Sequence, residues 1–376
     1  MSDLRLDYLA TDSVVEGIGA SQILAYVERF ADRGVDVHLH TFEKAEPGAD
    51  IRERLHRRGV SWHPRPFGRF GAVGGVRRVA AGASAVRGAA LVHARSDLAA
   101  ASVLLARPRR WVWDVRSLFS DQRLALGTLV EGSPEHRALR RIERAAARSS
   151  DAVVTLTEAV LPVLAERHGH DVAAKATVVT TCVDTARFEV RPAPDPGTLQ
   201  VLLAGTINRF YDVPAMVDLV RALRRRRPTT LQLVTPEPSP WDAELDAADP
   251  VRRSASPAEM PDIVAGCHVG LSVCRDDAGI SLRGSMPTKL GEFLASGRPV
   301  VVNSLLGDAS ALVREHGVGV VVDDRSAAGI ARAADELEAI VADPGVAARC
   351  RALAEEHFDL DRAADRLVAL YRSLAG

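Results

Sequence analysis

The feature that most constrains this chain is an alternation of short apolar runs with helical-period segments, repeated in two series and interrupted once by a proline-rich stretch. In the first series, apolar runs at residues 4–9, 35–41, 90–92, 111–113 and 152–156 read as strands. Between the first two, Ile23, Leu24, Val27, Phe30 and Ala31 recur at helical spacing, and Gly34 stands where a C-terminal cap belongs. Residues 4–41 therefore form a βαβ unit, preceded in its helix by a polar loop over 10–20. The second series places strands at 199–204, 231–235, 269–273, 299–303 and 319–322. Strands alternating with helices in this way form a parallel, doubly wound sheet, so the fold class is α/β with two Rossmann-like halves and a cleft implied between them.

The interruption, 191–198, concentrates three prolines within Arg191, Pro192, Ala193, Pro194, Asp195, Pro196 and Gly197, and can continue neither a helix nor a central strand. It is the expected linker between a first domain at 1–190 and a second at 199–357. Residues 358–376 carry Ala364, Leu367, Val368 and Leu374 on one side and read as a closing helix that packs back toward the first domain.

Composition excludes several functions. The 376 residues are 47% apolar and carry a formal net charge of -1, which argues against disorder and against a nucleic-acid binder held by a large basic excess. Cys182, Cys267, Cys274 and Cys350 show no CxxC spacing, so neither a zinc site nor a disulfide framework is expected, and no metal is assigned. The start lacks a basic and then apolar leader, and no apolar run reaches membrane-spanning length, so a soluble, cytoplasmic protein is expected. Of 48 basic side chains only Lys44, Lys175 and Lys289 are lysine. The arginine excess fits a GC-rich genome, whereas a lysine kept against that background draws attention to its chemistry.

One of these lysines stands in the sharpest motif, residues 285–303. Pro287 fits the first turn of a helix, Gly297 its end, and Pro299 the opening of a buried strand. A helix that starts there offers free N–H groups and a positive dipole end, which suit a diphosphate. Lys289 adds a point charge, and Glu292, three residues on, shares its face and can accept hydrogen bonds from both hydroxyls of a ribose. The plain alternative is a solvated Lys289 and a Glu292 that only complements the dipole.

This segment resembles the nucleotide-binding motif of family 4 glycosyltransferases of the GT-B fold, in a bacterial subgroup with a PTKLGE-type core. Blocks at 17–24, 42–44, 93–95, 113–117, 151–158, 182–184 and 317–323 resemble the same subgroup in order, so the likeness spans nearly the whole chain. The resemblance implies sugar transfer from a nucleotide-sugar donor to a hydroxyl acceptor on a small molecule or a lipid-linked carrier. It also implies retention at the anomeric carbon, with neither a metal nor a further cofactor. By it, the second domain binds the donor through Ser285, Met286, Pro287, Thr288, Lys289, Leu290 and Glu292, with Arg209 as a second diphosphate cation and Gly19 approached by donor phosphate or acceptor. Lys289, Arg209 and Arg116 are the catalytic candidates, and Gly17, His93, Arg95, Asp114 and Arg116 the acceptor-side ones.

Two departures matter. Gly284 stands where many family members carry a glutamate, with Asp276 and Asp277 as candidate substitutes, and Arg116 stands where related enzymes often have histidine. Arg116 stays charged and cannot act as a base, but it can bind a phosphate, a carboxylate or a donor sugar, or pair with Asp114. A nicotinamide site is disfavoured, because Gln22 occupies the third-glycine position after Gly17 and Gly19. Residues 136–148 form a basic amphipathic stretch, read as a surface helix of the first domain, with peripheral membrane contact as the alternative. The competing functions are a coupling enzyme of the same fold acting on an unusual acceptor, and a ligand binder without turnover.

Overall fold

The computed structural model describes residues 4–15, 19–235 and 238–376, which fall into two compact units, Met1–Thr180 with Leu360–Gly376 and Thr181–Asp359. The division thus comes at Thr180, ahead of the proline-rich run at 191–198. That run belongs to the second unit, where the buried Arg298 donates to the carbonyls of Arg191, Pro192 and Ala265.

The first unit is a sheet of seven parallel strands, β1 (Arg5–Ala10), β2 (Asp36–Glu43), β3 (Ser61–Pro66), β4 (Leu91–Arg95), β5 (Arg110–Val115), β6 (Ala152–Thr155) and β7 (Ala176–Val178). Their order, β3-β2-β1-β4-β5-β6-β7, reverses direction between β1 and β4. Side chains alternate across the sheet, and the register sorts them into two unlike faces. Leu9, Ala94, Trp113 and Val153 are neighbours on one face and lie in a continuous apolar core with Val103, Ala146 and Val163. On the other face Tyr8 pairs with His93, and Arg95 with Asp114, which in turn pairs with Val154.

This second face is covered by the helix Ala25–Asp32 and by the closing helix Leu360–Ala375. Phe30 meets Tyr371 edge to face at 5.4 Å, and Arg29 and Arg33 reach Asp361 and Asp365 along the rim. A single π-helical turn, Ala20–Leu24, leads into the Ala25–Asp32 helix.

The second unit holds six parallel strands, β8 (Leu199–Ala204), β9 (Thr229–Val234), β10 (Val251–Arg253), β11 (Val269–Ser272), β12 (Val300–Asn303) and β13 (Gly319–Val322), in the order β10-β9-β8-β11-β12-β13. The order reverses between β8 and β11. On one face the helices Val213–Arg224 and Ala327–Ala342 bury Val217, Val220, Leu223, Ile330 and Leu337 against the sheet. On the other, the helix Thr288–Ala295 lies so close to β11 that the Phe293 ring rests on Gly270.

The strands β3, β7 and β10 were not legible as apolar runs. Each is a sheet edge, and β10 is exposed along its whole length. β3 also carries Pro64 and Pro66, which an edge tolerates because one side of its backbone needs no ladder partner.

The contact at Gly270 is the tightest that positions the Thr288–Ala295 helix. A Cβ built there would sit 2.3 Å from the Phe293 ring. Gly270→Ala is therefore expected to cost about 1–3 kcal/mol through overpacking. Urea denaturation would read this as a lowered midpoint, and an unchanged midpoint would refute the close approach.

Candidate functional site

In the second unit, Pro287 is extended at φ -65°, ψ 130° and stands just before the helix Thr288–Ala295 rather than within its first turn. Lys289 lies in that first turn. Its ammonium nitrogen is buried, has no hydrogen-bond partner among the described residues, and sits 4.3 Å from the centre of the Tyr211 ring. A Cβ on Gly205 would come within 3.9 Å of it. Gly205, at φ +90°, opens the loop that leaves β8, and Tyr211 lies further along the same loop. Lys289 therefore stands over the carboxyl end of β8, where the strand order reverses and where open α/β sheets bind ligands.

Glu292, one turn on, is half-buried. Burial pushes its carboxyl above the usual range, with Lys289 and Arg187 pulling the other way. The remaining motif residues are partly engaged by the chain itself. The Ser285 hydroxyl donates to the Ser281 carbonyl at 2.9 Å, the Met286 carbonyl accepts from Thr181 at 2.7 Å, and Leu290 is buried in the core. Thr288 begins the helix.

Arg209 is exposed on the loop after β8, and it is Tyr211 of that loop, not Arg209, that touches Lys289. The candidate substitutes for the glutamate missing at Gly284, Asp276 and Asp277, are both engaged in ion pairs within the chain. Asp276 is ion-paired with Arg325, which also holds Asp212, and Asp277 pairs with Arg275.

In the first unit, the polar face at the β1/β4 reversal forms a small cavity lined by Tyr8, Gln22, Tyr26, Arg95, Asp114 and Arg116. Asp114 is its centre. Its Oδ2 lies 3.1 Å from His93 Nε2 and 3.6 Å from Arg95 Nη1, and its Oδ1 lies 3.7 Å from Arg116 Nη1. Burial raises the Asp114 carboxyl, but Arg116, His93 and Arg95 together outweigh it and hold the group below its ordinary value. Burial lowers His93 despite the neighbouring Asp114, which favours the neutral imidazole. A neutral ring donating from Nε2 to the carboxylate must accept at Nδ1, and there the Tyr371 hydroxyl donates at 2.9 Å. The Tyr8 ring stacks on His93 at 4.5 Å, and burial pushes its phenol up to about 12.

The candidates His93, Arg95, Asp114 and Arg116 thus come together in one place. Gly17 lies outside the described residues. At Gly19 the chain's own backbone fills the open side, since a Cβ would fall 1.9 Å from the Ser13 carbonyl oxygen. The loop before it is held by Glu43, which accepts from the Ser13 hydroxyl and the Val14 N–H. The basic stretch lies on the helix Pro134–Ser149, whose apolar side is spent on the unit's own interior through Leu139, Ala146 and Ala147. Arg137, Arg141, Arg144 and Arg148 line its exposed side. Among the described residues no helix is long and apolar enough to cross a membrane.

Two residues escaped the sequence reading, Tyr211 and Tyr371. The available signal was scarcity: the chain has only 4 tyrosines, of which Tyr8 and Tyr26 line the first cavity, Tyr371 bonds His93 and Tyr211 meets Lys289.

Residues 19–169 match a family described as the glycosyl transferase 4-like domain. No curated protein matches the chain. Among solved structures it is similar to Anabaena HepE in complex with UDP-glucose, at 16% identity over 98% of this chain and 100% of that one, with a TM-score of 0.68. It is similar to sucrose-phosphate synthase from Thermosynechococcus elongatus at 15% identity over 99% of both chains, with a TM-score of 0.70. AviGT4, a glycosyltransferase involved in avilamycin A biosynthesis, is similar at 15% identity over 99% of this chain and 98% of that one, with a TM-score of 0.62. The fold is GT-B.

The contact from the closing helix carries a measurable energy. Tyr371→Phe keeps the ring against Phe30 and removes only the hydroxyl, leaving the buried His93 Nδ1 without its donor. A loss of about 1–3 kcal/mol is expected. Equilibrium unfolding of Tyr371→Phe at wild-type stability would show that the bond contributes nothing.

Proposed function

We propose that the chain is a glycosyltransferase, moving a sugar from a nucleotide-activated donor to a hydroxyl acceptor with retention of configuration and without a required metal. The observation that carries the reading is the Lys289 ammonium. It is buried and has no hydrogen-bond partner among the described residues, beside Tyr211 and Gly205, at the start of a helix and one turn from Glu292. A cation held so costs free energy unless an anion completes it. A nucleotide diphosphate supplies that anion, and its ribose hydroxyls suit the Glu292 carboxylate. The match of residues 19–169 to the glycosyl transferase 4-like family and the fold shared with the UDP-glucose complex of HepE support the same reading. The PTKLGE-type subgroup is the narrower assignment within it.

In this mechanism the second unit holds the donor and the first contributes acceptor surface. Donor phosphate meets the N-terminal turn Thr288–Leu290 and Lys289, with Ser285, Met286 and Pro287 shaping the approach and Arg209 closing on the diphosphate from its exposed loop. As the glycosidic bond to the diphosphate breaks, negative charge grows on the departing oxygen, where Lys289, Arg209 and the helix dipole stabilise it. That oxygen takes the acceptor's proton while the acceptor attacks from the same face, so configuration is kept. No protein base is needed at Arg116, and positioning carries most of the rate.

Lys289→Ala should keep the fold and lose roughly a hundredfold or more of transfer. Glu292→Ala should weaken nucleotide binding by about tenfold or more, read by calorimetry. The donor is identified by thermal shift across UDP-, GDP-, ADP-, TDP- and CMP-sugars, because a ligand of the native state raises the melting temperature by mass action. A panel in which none of them binds, or a Lys289→Ala variant that turns over at the wild-type rate, would sink the reading.

A further inference from the structure

Arg95 is buried to 5% exposure, and neither its Nε nor its Nη1 has a hydrogen-bond partner among the described residues. The nearest carboxylate, Asp114, lies 3.6 Å from Arg95 Nη1 and 3.7 Å from Arg116 Nη1, both longer than a hydrogen bond. Asp114 Oδ2 is already shared with His93, a neutral ring, and Oδ1 is itself unbonded. Asp12 also acts on Arg95 electrostatically, but it is exposed to solvent, which screens it. Among the described residues two guanidinium charges therefore face one buried carboxylate, with Arg95 Nε and Nη1 unbonded, while the Tyr8 hydroxyl engages Arg95 and Gln22 accepts from Arg116 Nη2 at 3.5 Å. Such an arrangement is costly in an interior and is completed by an anion.

The cavity limits which anion. Its enclosed part has room for a group about the size of a carboxylate and is too small for a sugar ring. A guanidinium fork matches a planar carboxylate in two parallel hydrogen bonds. The unbonded Asp114 Oδ1 offers an acceptor for a hydroxyl hydrogen at the same place.

We propose that this cavity is a carboxylate site formed by Arg95 and Arg116, and that the acceptor is a hydroxyl compound bearing a carboxylate. The name acceptor rests on the transferase reading above; the carboxylate site does not. Asp114 keeps the two arginines in register, and Tyr371 fixes His93 against Asp114 from the closing helix. Tyr371 and His93 are positioning residues, since neither reaches the ligand directly in this assignment.

The binding test uses formate and acetate as probes on the full chain, in the Lys289→Ala background so that anion binding in the second unit does not contribute. Replacing chloride by formate at constant ionic strength should raise the melting temperature. It should also slow phenylglyoxal modification of Arg116, read by peptide mass. Arg116→Gln should weaken formate binding by about tenfold or more, and Arg116→Lys, which keeps the charge without the fork, by less. No protection of Arg116 by formate, equal stabilisation of Arg116→Gln, or tighter binding of inorganic phosphate than of formate would each overturn the carboxylate site. If Arg116→Gln fails to fold, protection in the parent protein still decides. A second arm compares hydroxy acids with their amides as acceptors for the donor found by thermal shift. Transfer to the acid alone supports the assignment, and equal transfer to both overturns the acceptor claim while leaving transferase activity intact.

Discussion

Everything functional in this chain depends on one topological constraint: in each unit the strand order turns around at a single pair of parallel strands, β1/β4 and β8/β11. Parallel strands need crossover connections, and at the turning point the loops that follow the two strands part to opposite sides. The crevice left between those loops is where each sheet carries polar side chains in place of apolar ones. His93, Arg95 and Asp114 occupy one such point, and Gly205 and Tyr211, with Lys289 above them, occupy the other. The strands of the first unit that carry these groups also bury Leu9, Ala94 and Trp113 on the opposite face, so the polar face is held in place by an apolar one.

How much of this was legible follows from how each part is stabilised. Strands with buried side chains on both faces show as apolar runs, which is why the central β8 and the buried edge strand β13 are both bounded to the residue at each end. Edge strands need little apolar character, so Ser61–Pro66, Ala176–Val178 and Val251–Arg253 left no such trace. The proline-rich run at 191–198 looked like a boundary because prolines break elements. Yet Arg298, a residue of the donor-like motif far along the sequence, ties that run into the second unit. A hydrogen bond between segments so distant has no local signature.

The site was legible in proportion to its sequence locality. Lys289 and Glu292 lie one helical turn apart, and spacing alone puts them on one face. His93 and Asp114 lie on neighbouring strands, and only the register brings them together. Tyr371 is separated from His93 by 278 residues, and no periodicity in residues 361–374 distinguishes its ring from the apolar residues beside it. Its hydroxyl matters only because burial favours a neutral His93, and a neutral imidazole that donates to Asp114 must accept on its other nitrogen.

The scarcity of lysine gains physical content at this level. In a chain of 45 arginines, a guanidinium is the default cation, and the first unit uses two of them where a flat, forked recognition of a planar anion is geometrically apt. At Lys289 the demand differs. The space between the Tyr211 ring and the backbone of Gly205 is narrow, and in the proposed transfer the charge of the diphosphate is tetrahedral and changes as the bond to it breaks. A compact ammonium on a flexible stem can follow that charge, while a rigid fork would fix one geometry. On the proposed reading the two kinds of cation divide the work by shape: arginine where the partner must be selected, lysine where charge develops during the reaction.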